Sequence, residues 1–260
     1  MKHITSVSVI IILVNLLSFT QTKAQQQDTT FLNTTHVMTV MGEIISNSVT
    51  SRMTYKLDGS TVMEEKVVTN MSYPMENGET HKDISTEEFT IIDGEMNYFK
   101  GEYNTNDSVT VVTAEKDGEN LLVSGKLPGE SSFQVWDQKK LKEIDAYIVF
   151  FNIDELNLSK KMQIRKMYDL YGMELRNNKL TLQDKETIEL AGQKFECSIV
   201  KFDYGLIKGK LWFAKGPADN YFLVKEEAQS QEYGPFDLDL TDYNTIKPTT
   251  NNHKKEEFGF

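Results

Sequence analysis

Three times in its first half the chain interrupts a run of β-prone residues with Asp-Gly: Asp58-Gly59, Asp93-Gly94 and Asp117-Gly118. This dipeptide suits the tight turns of β-hairpins, whose central residues need positive φ. The flanks fit that reading. Val49–Leu57 is answered by Thr61–Asn70, Glu88–Ile92 by Glu95–Phe99, and Val109–Ala114 by Asn120–Ser124. The turns are 35 and 24 residues apart, too uneven for a repeat array, so the pattern predicts a meander of hairpins.

The second half carries the same signature. Candidate strands are Met162–Tyr171, Met173–Leu182, Glu186–Leu190, Lys194–Tyr204, Lys210–Ala214, Tyr221–Gln229 and Phe236–Tyr243. Near the start, Val37–Ile45 reads as one strand, and Tyr73–Thr86 as a polar loop containing Pro and Gly. Between the halves, Asp137–Ile148 places Leu141, Ile144 and Ile148 at helical spacing, with Asp137 as N-cap. The expectation is about 12 strands and one helix. Tight turns between successive strands make the sheet antiparallel. A long antiparallel sheet must bury one face, so the fold class is mostly β: a single curved antiparallel sheet, half-barrel-like.

The N-terminus reads as an export signal. Lys2 and His3 precede Val7–Leu17, an apolar run of 11 residues. A spanning helix needs roughly 20. Thr22 and Ala24 stand at −3 and −1 of a cut that would leave Gln25 first. The expected organisation is a signal peptide over 1–24, a flexible lead-in over 25–35, a β-rich domain over 36–245 and a disordered tail over 246–260. No transmembrane segment is expected after cleavage. The localisation implied is export, to the periplasm or the cell exterior.

Cleavage would leave 236 residues with 26 basic and 39 acidic side chains, a net charge of −13. That balance argues against nucleic acid, which is bound through Lys and Arg on phosphates. The single cysteine, Cys197, rules out an internal disulfide and sits on the apolar side of an alternating run, a core position.

Catalytic signatures are missing. There is no G-x-S-x-G elbow and no H-E-x-x-H. His36, His81 and His253 are scattered and read as solvated surface residues. Glu64-Glu65, Glu87-Glu88 and Glu226-Glu227 are neighbours in strands and point to opposite faces, so none is a ready carboxylate pair. Asp237 and Asp239 share a face with Asp242 near, a weak calcium candidate that lacks the spacing of a known loop. No cofactor is called for. The bulky apolar side chains are mostly core, but a surplus on a curved sheet can line a pocket for a greasy ligand. Trp136, Tyr147, Phe150, Trp212 and Phe222 are the ligand-binding candidates, chosen by residue type and position in apolar strands.

The run Glu186–Val200, with Ala191-Gly192 as its turn, is similar to a strand, glycine turn and strand found in uncharacterised bacterial periplasmic proteins of the Bacteroidota type. Leu211-Trp212-Phe213-Ala214, Phe222–Glu227 and Gly234 follow in the same order. The resemblance covers roughly residues 150–243. It implies a half-barrel related to lipoprotein carriers, in which a curved sheet cups a helix or an acyl chain, and it supplies no catalytic residues. The leading expectation is an exported, non-enzymatic protein. It would bind an apolar, lipid-like small molecule or an envelope protein in the concave face of its sheet. The competing expectations are a secreted hydrolase of envelope glycans and a structural or adhesive envelope component.

Overall fold

A computed structural model describes residues 29–74, 78–105, 108–127, 130–136, 146–147, 162–169, 174–203, 205, 207–217, 221–231 and 234–246. The outgoing strands are β1 (Thr30–Val40), β2 (Glu43–Leu57), β3 (Ser60–Pro74), β4 (Thr80–Ile92), β5 (Glu95–Asn104), β6 (Val109–Asp117), β7 (Asn120–Leu127) and β8 (Glu130–Trp136). The returning strands are β9 (Ala146–Tyr147), β10 (Met162–Asp169), β11 (Glu174–Leu182), β12 (Glu186–Leu190), β13 (Gln193–Asp203), β14 (Ile207–Lys215), β15 (Tyr221–Ser230) and β16 (Gly234–Ile246).

All sixteen belong to one sheet, ordered β8-β7-β6-β5-β4-β3-β2-β1-β16-β15-β14-β13-β11-β10-β9, with β12 beside β13. β12 continues the line of β11: Leu182 lies opposite Val200, Glu186 opposite Cys197, and the Gln183 amide bridges them by donating to the Ile199 carbonyl at 2.8 Å. Pairing is antiparallel except between β9 and β10. The first and last strands meet at the centre, β1 against β16. The chain therefore runs out along one arm to β8 and returns along the other from β9.

That connectivity requires curvature. Trp136 and Ala146 end β8 and begin β9, ten residue steps apart, and ten steps reach at most about 36 Å. In a flat sheet the fourteen strand spacings between β8 and β9 would separate them by about 67 Å. The sheet is rolled, yet β8 and β9 do not pair, so it stays open. This is the single curved antiparallel sheet that the hairpin pattern predicts.

The hairpin turns obey the φ rule. Asp58 and Gly59 take φ of 50° and 89°, and Asp93 and Gly94 take 51° and 85°, as a type I′ turn demands. At the third site the register slips by one. Asp117 pairs with Asn120, which leaves Gly118, at φ 59°, first in the turn. Met41-Gly42 and Ala191-Gly192 adopt the same geometry without an Asp.

Several sequence expectations are corrected. β1 begins at Thr30, inside the 25–35 stretch read as lead-in. Its Thr and Asn residues look loose in sequence, but they pair on both sides, with β2 and β16. Val37–Ile45 is two strands, because Met41-Gly42 turns the chain. The loop read over 73–86 is mostly strand: β3 runs to Pro74 and β4 starts at Thr80, with Tyr73 opposite His81. Ala146 and Tyr147 form β9 against Met167 and Tyr168 rather than the end of a helix. The rest of the helix expected over 137–148 lies outside the described residues, as do the signal peptide and the tail beyond Ile246.

The inner face follows from the registers. One row crosses the sheet as Leu32, Arg52, Glu65, Phe89, Phe99, Ala114 and Val123. Its outer members build the core of the β3–β7 arm with Met63, Ile91, Met96, Val112 and Leu121. A neighbouring row runs Leu182, Val200, Leu211, Glu226, Leu238 and Met38. On the same face Leu180, Phe202, Phe213 and Ala228 complete the core of the returning arm. Two apolar arms thus flank a central strip at β1–β3 where the inward positions are Thr34, His36, Ser48, Thr50, Arg52 and Glu65.

Candidate functional site

The sheet forks at its centre. β15 pairs with β16 only through Lys225–Ser230, while β16 pairs with β1 as far as Ile246. Register shifts mark the fork: one lies between Trp212 and Phe213 on β14, leaving Val224 unpaired on β15, and one between Thr35 and His36 on β1. Bulges of this kind bend strands and re-aim side chains. Past the fork the β1–β16 pair folds over the returning arm. Leu32, Leu240 and Tyr243 pack on Phe195, Phe222 and Val224. The Tyr243 ring stacks on Phe222 at 4.9 Å between centroids and meets Phe195 edge-on at 5.5 Å.

Forking leaves Tyr221 and Leu223 facing away from any ladder partner in β16, and a buried carbonyl without a donor is costly. Two side chains from the other arm satisfy them. His36 Nε2 donates to the Leu223 carbonyl at 3.0 Å, and Arg52 Nη1 donates to the Tyr221 carbonyl at 2.7 Å. The Arg52 Nε also donates to the Glu65 carboxylate, and both side chains are largely buried. His36 is only 6% exposed, and burial holds its ring below the ordinary imidazole value, so it is neutral near pH 7.

A cavity of about 400 Å³ opens on the inner face beside these groups. One wall is polar: Thr34, His36, Ser48, Thr50, Arg52 and Glu65 from β1–β3. The facing wall is apolar: Phe202, Leu211, Phe213, Leu223, Phe236 and Leu238 from β13–β16. Glu226 stands in that apolar wall, opposite Leu211 on one side and Leu238 on the other. Burial alone pushes its carboxyl up to about 7. Its neighbour Glu227 faces outward and pairs with Lys225 at 2.7 Å. This is the opposite-face arrangement that alternation predicts for the Glu-Glu neighbours.

Of the five ligand-binding candidates, Phe222 lines the cavity. Trp212 is buried in the cluster at the fold-over instead. Its indole N–H donates to Glu186 at 3.0 Å, and the Lys225 and Lys210 ammonium groups lie 5.4 and 5.9 Å from its ring. Trp136 and Tyr147 lie in β8 and β9, but their side chains, like Phe150 altogether, lie outside the described residues. Asp237, Asp239 and Asp242 pair with Thr39, Val37 and Thr35 along β1. Among the described residues no group of three or more His, Cys, Asp or Glu is placed to hold a metal ion. Cys197 is buried, and burial, with Glu186 near, pushes its thiol up to about 11.

Sequence reasoning missed His36, Arg52, Glu65 and Glu226. The sequence alone places His36 at the surface; its burial follows from β1 being the sheet's central strand. Glu65 carried a readable signal, since it is in phase with Met63 and Val67, two inward apolar residues. Glu226 carried none, because the bulge at Val224 breaks the alternation just before it.

No family model matches the chain, and no curated protein matches it. Among solved structures, the fold resembles a β-barrel-like protein of the domain of unknown function DUF1849 from Brucella abortus. The TM-score is 0.51 at 7% identity, covering 86% of this chain and 99% of that one. A "putative lipoprotein" from Parabacteroides distasonis aligns over 84% of this chain and 96% of that one, at 14% identity and a TM-score of 0.35. The first likeness is one of fold alone.

Proposed function

We propose that the protein is an exported, non-enzymatic binder of a lipid-like amphipathic molecule, held in the concave face of the rolled sheet. The observation that carries this reading is the two-sided cavity. Its phenylalanine- and leucine-lined wall suits an alkyl chain, and its Thr, Ser, His and Arg wall suits a polar head. Ligand pockets commonly occupy about 300–1,000 Å³, with mostly apolar linings and a few placed polar groups, and this cavity falls in that range. Export rests on the signal-like segment 1–24, whose cleavage would leave Gln25 at the N-terminus.

The competing hydrolase reading has one feature in its favour: Glu65 and Glu226 line the same cavity. Against it, Glu65 is committed to Arg52, and the wall around Glu226 is aliphatic and aromatic rather than hydrogen-bonding.

The test is native mass spectrometry of the protein purified gently from a bacterial periplasm. An adduct that survives transfer, is lost on denaturation and is identified as a lipid is the expected result. A bare polypeptide mass from every preparation, together with no uptake of added lipid, would overturn the reading.

A further inference from the structure

The charges around the cavity are unequally used. Arg52 is occupied twice, by Glu65 and by the Tyr221 carbonyl. His36 spends its Nε2 on Leu223 and is neutral. Lys225, the nearest lysine in sequence, faces outward to Glu227. Glu226 is left on the cavity wall with Leu211 and Leu238 as its cross-strand neighbours and no ion pair or hydrogen bond among the described residues. A carboxyl so placed stands ready for a donor that the ligand brings.

We propose that Glu226 makes the cavity selective for amphipathic ligands with a cationic amine at the head, over acids and alcohols of the same chain. This rests on the reading of the cavity as a ligand site. A bound ammonium would give the carboxylate a charge-assisted hydrogen bond, stronger than a neutral one and strengthened further by the apolar wall. A fatty acid would add a third carboxyl group to a cavity already lined by Glu226 and Glu65. An alcohol would gain only a neutral hydrogen bond.

The experiment is isothermal titration of the exported chain at pH 8 with decylamine, 1-decanol and decanoic acid, the amine and the acid below their micellar concentrations and the alcohol below its solubility limit. Decylamine should bind about tenfold or more tightly than either competitor. Glu226→Gln should bring decylamine down to the level of decanol. Glu227→Gln removes the same charge from the outer face and should keep the preference, which separates the cavity from the general acidity of the surface. Equal affinities in the wild type, or a preference that survives Glu226→Gln, would overturn the selectivity while leaving the lipid-binding reading intact. Binding of none of the three would remove both.

Discussion

Glu226→Gln should stabilise the empty protein, and by an amount that depends on pH. The folded carboxyl titrates at about 7 against an ordinary value of 4.5, with burial as the cause. The sign follows from proton counting. Between those two values the unfolded chain has released the proton and the folded chain still holds it, so stability falls as pH rises through the window. At about 1.4 kcal/mol per pH unit the loss reaches about 3 kcal/mol by pH 7 and stays constant above. Glutamine cannot ionise, so the variant escapes the loss. It also places an amide between Leu211 and Leu238, at a cost that is independent of pH. The informative quantity is therefore the change in the stability difference between variant and wild type from pH 4.5 to pH 8. His36 titrates in the opposite sense, its burial costing stability as pH falls below its ordinary 6.5, but it is common to both proteins and cancels. Urea unfolding followed by circular dichroism at pH 4.5, 6 and 8 reads the result. A difference growing by about 3 kcal/mol is expected. A difference that stays flat across the range would show that Glu226 is solvated or paired, and the argument from its isolation would fall.

Three further outcomes are expected. Arg52→Met leaves Glu65 buried without its cation and Tyr221 without a donor, and should cost about 3–5 kcal/mol in urea unfolding; Arg52→Met/Glu65→Met should recover the part due to the unpaired carboxylate and leave about 1–3 kcal/mol for the Tyr221 carbonyl. Met41 holds a φ of 52° at a turn tip while 88% exposed, so Met41→Asn should raise stability by about 1 kcal/mol, read as a higher urea midpoint. The Cys197 thiol, buried and held at about 11, should resist a disulfide reagent such as dithionitrobenzoate at pH 8 in the folded protein and react fully in concentrated urea.

The local signals in the chain led to the right class of fold because the sheet is built from local turns. Asp58-Gly59 and Asp93-Gly94 accept the positive φ that a two-residue hairpin turn needs, and the alternation on either side follows from the two-residue period of a strand. Where the turn chemistry was weaker the reading failed: Met41-Gly42 turns the chain with no Asp, so β1 and β2 were merged. The Thr and Asn residues at the start of β1, over 30–35, read as a loose lead-in because they are mostly polar. Those residues make a strand only once β16 arrives from the far end of the chain.

The site was illegible for the same reason. His36 and the carbonyl it bonds are separated by 187 residues, and no spacing rule connects them. What joins them is the fork, and the fork depends on two bulges that each break a local pattern. The bulge at Val224 frees the carbonyls of Tyr221 and Leu223 from the ladder, so the sheet can open there only if donors come from elsewhere. Arg52 and His36 supply them from the opposite arm. Arg52 in turn requires Glu65, since a lone guanidinium in that strip would be unpaired. The polar wall of the cavity is thus first a device for letting the sheet fork. Glu226 lies outside this logic: among the described residues no carbonyl needs it and no cation answers it, and the fold is less stable for its presence above pH 4.5. A group that the fold's own hydrogen bonding does not require is the one on which a test of ligand recognition should turn.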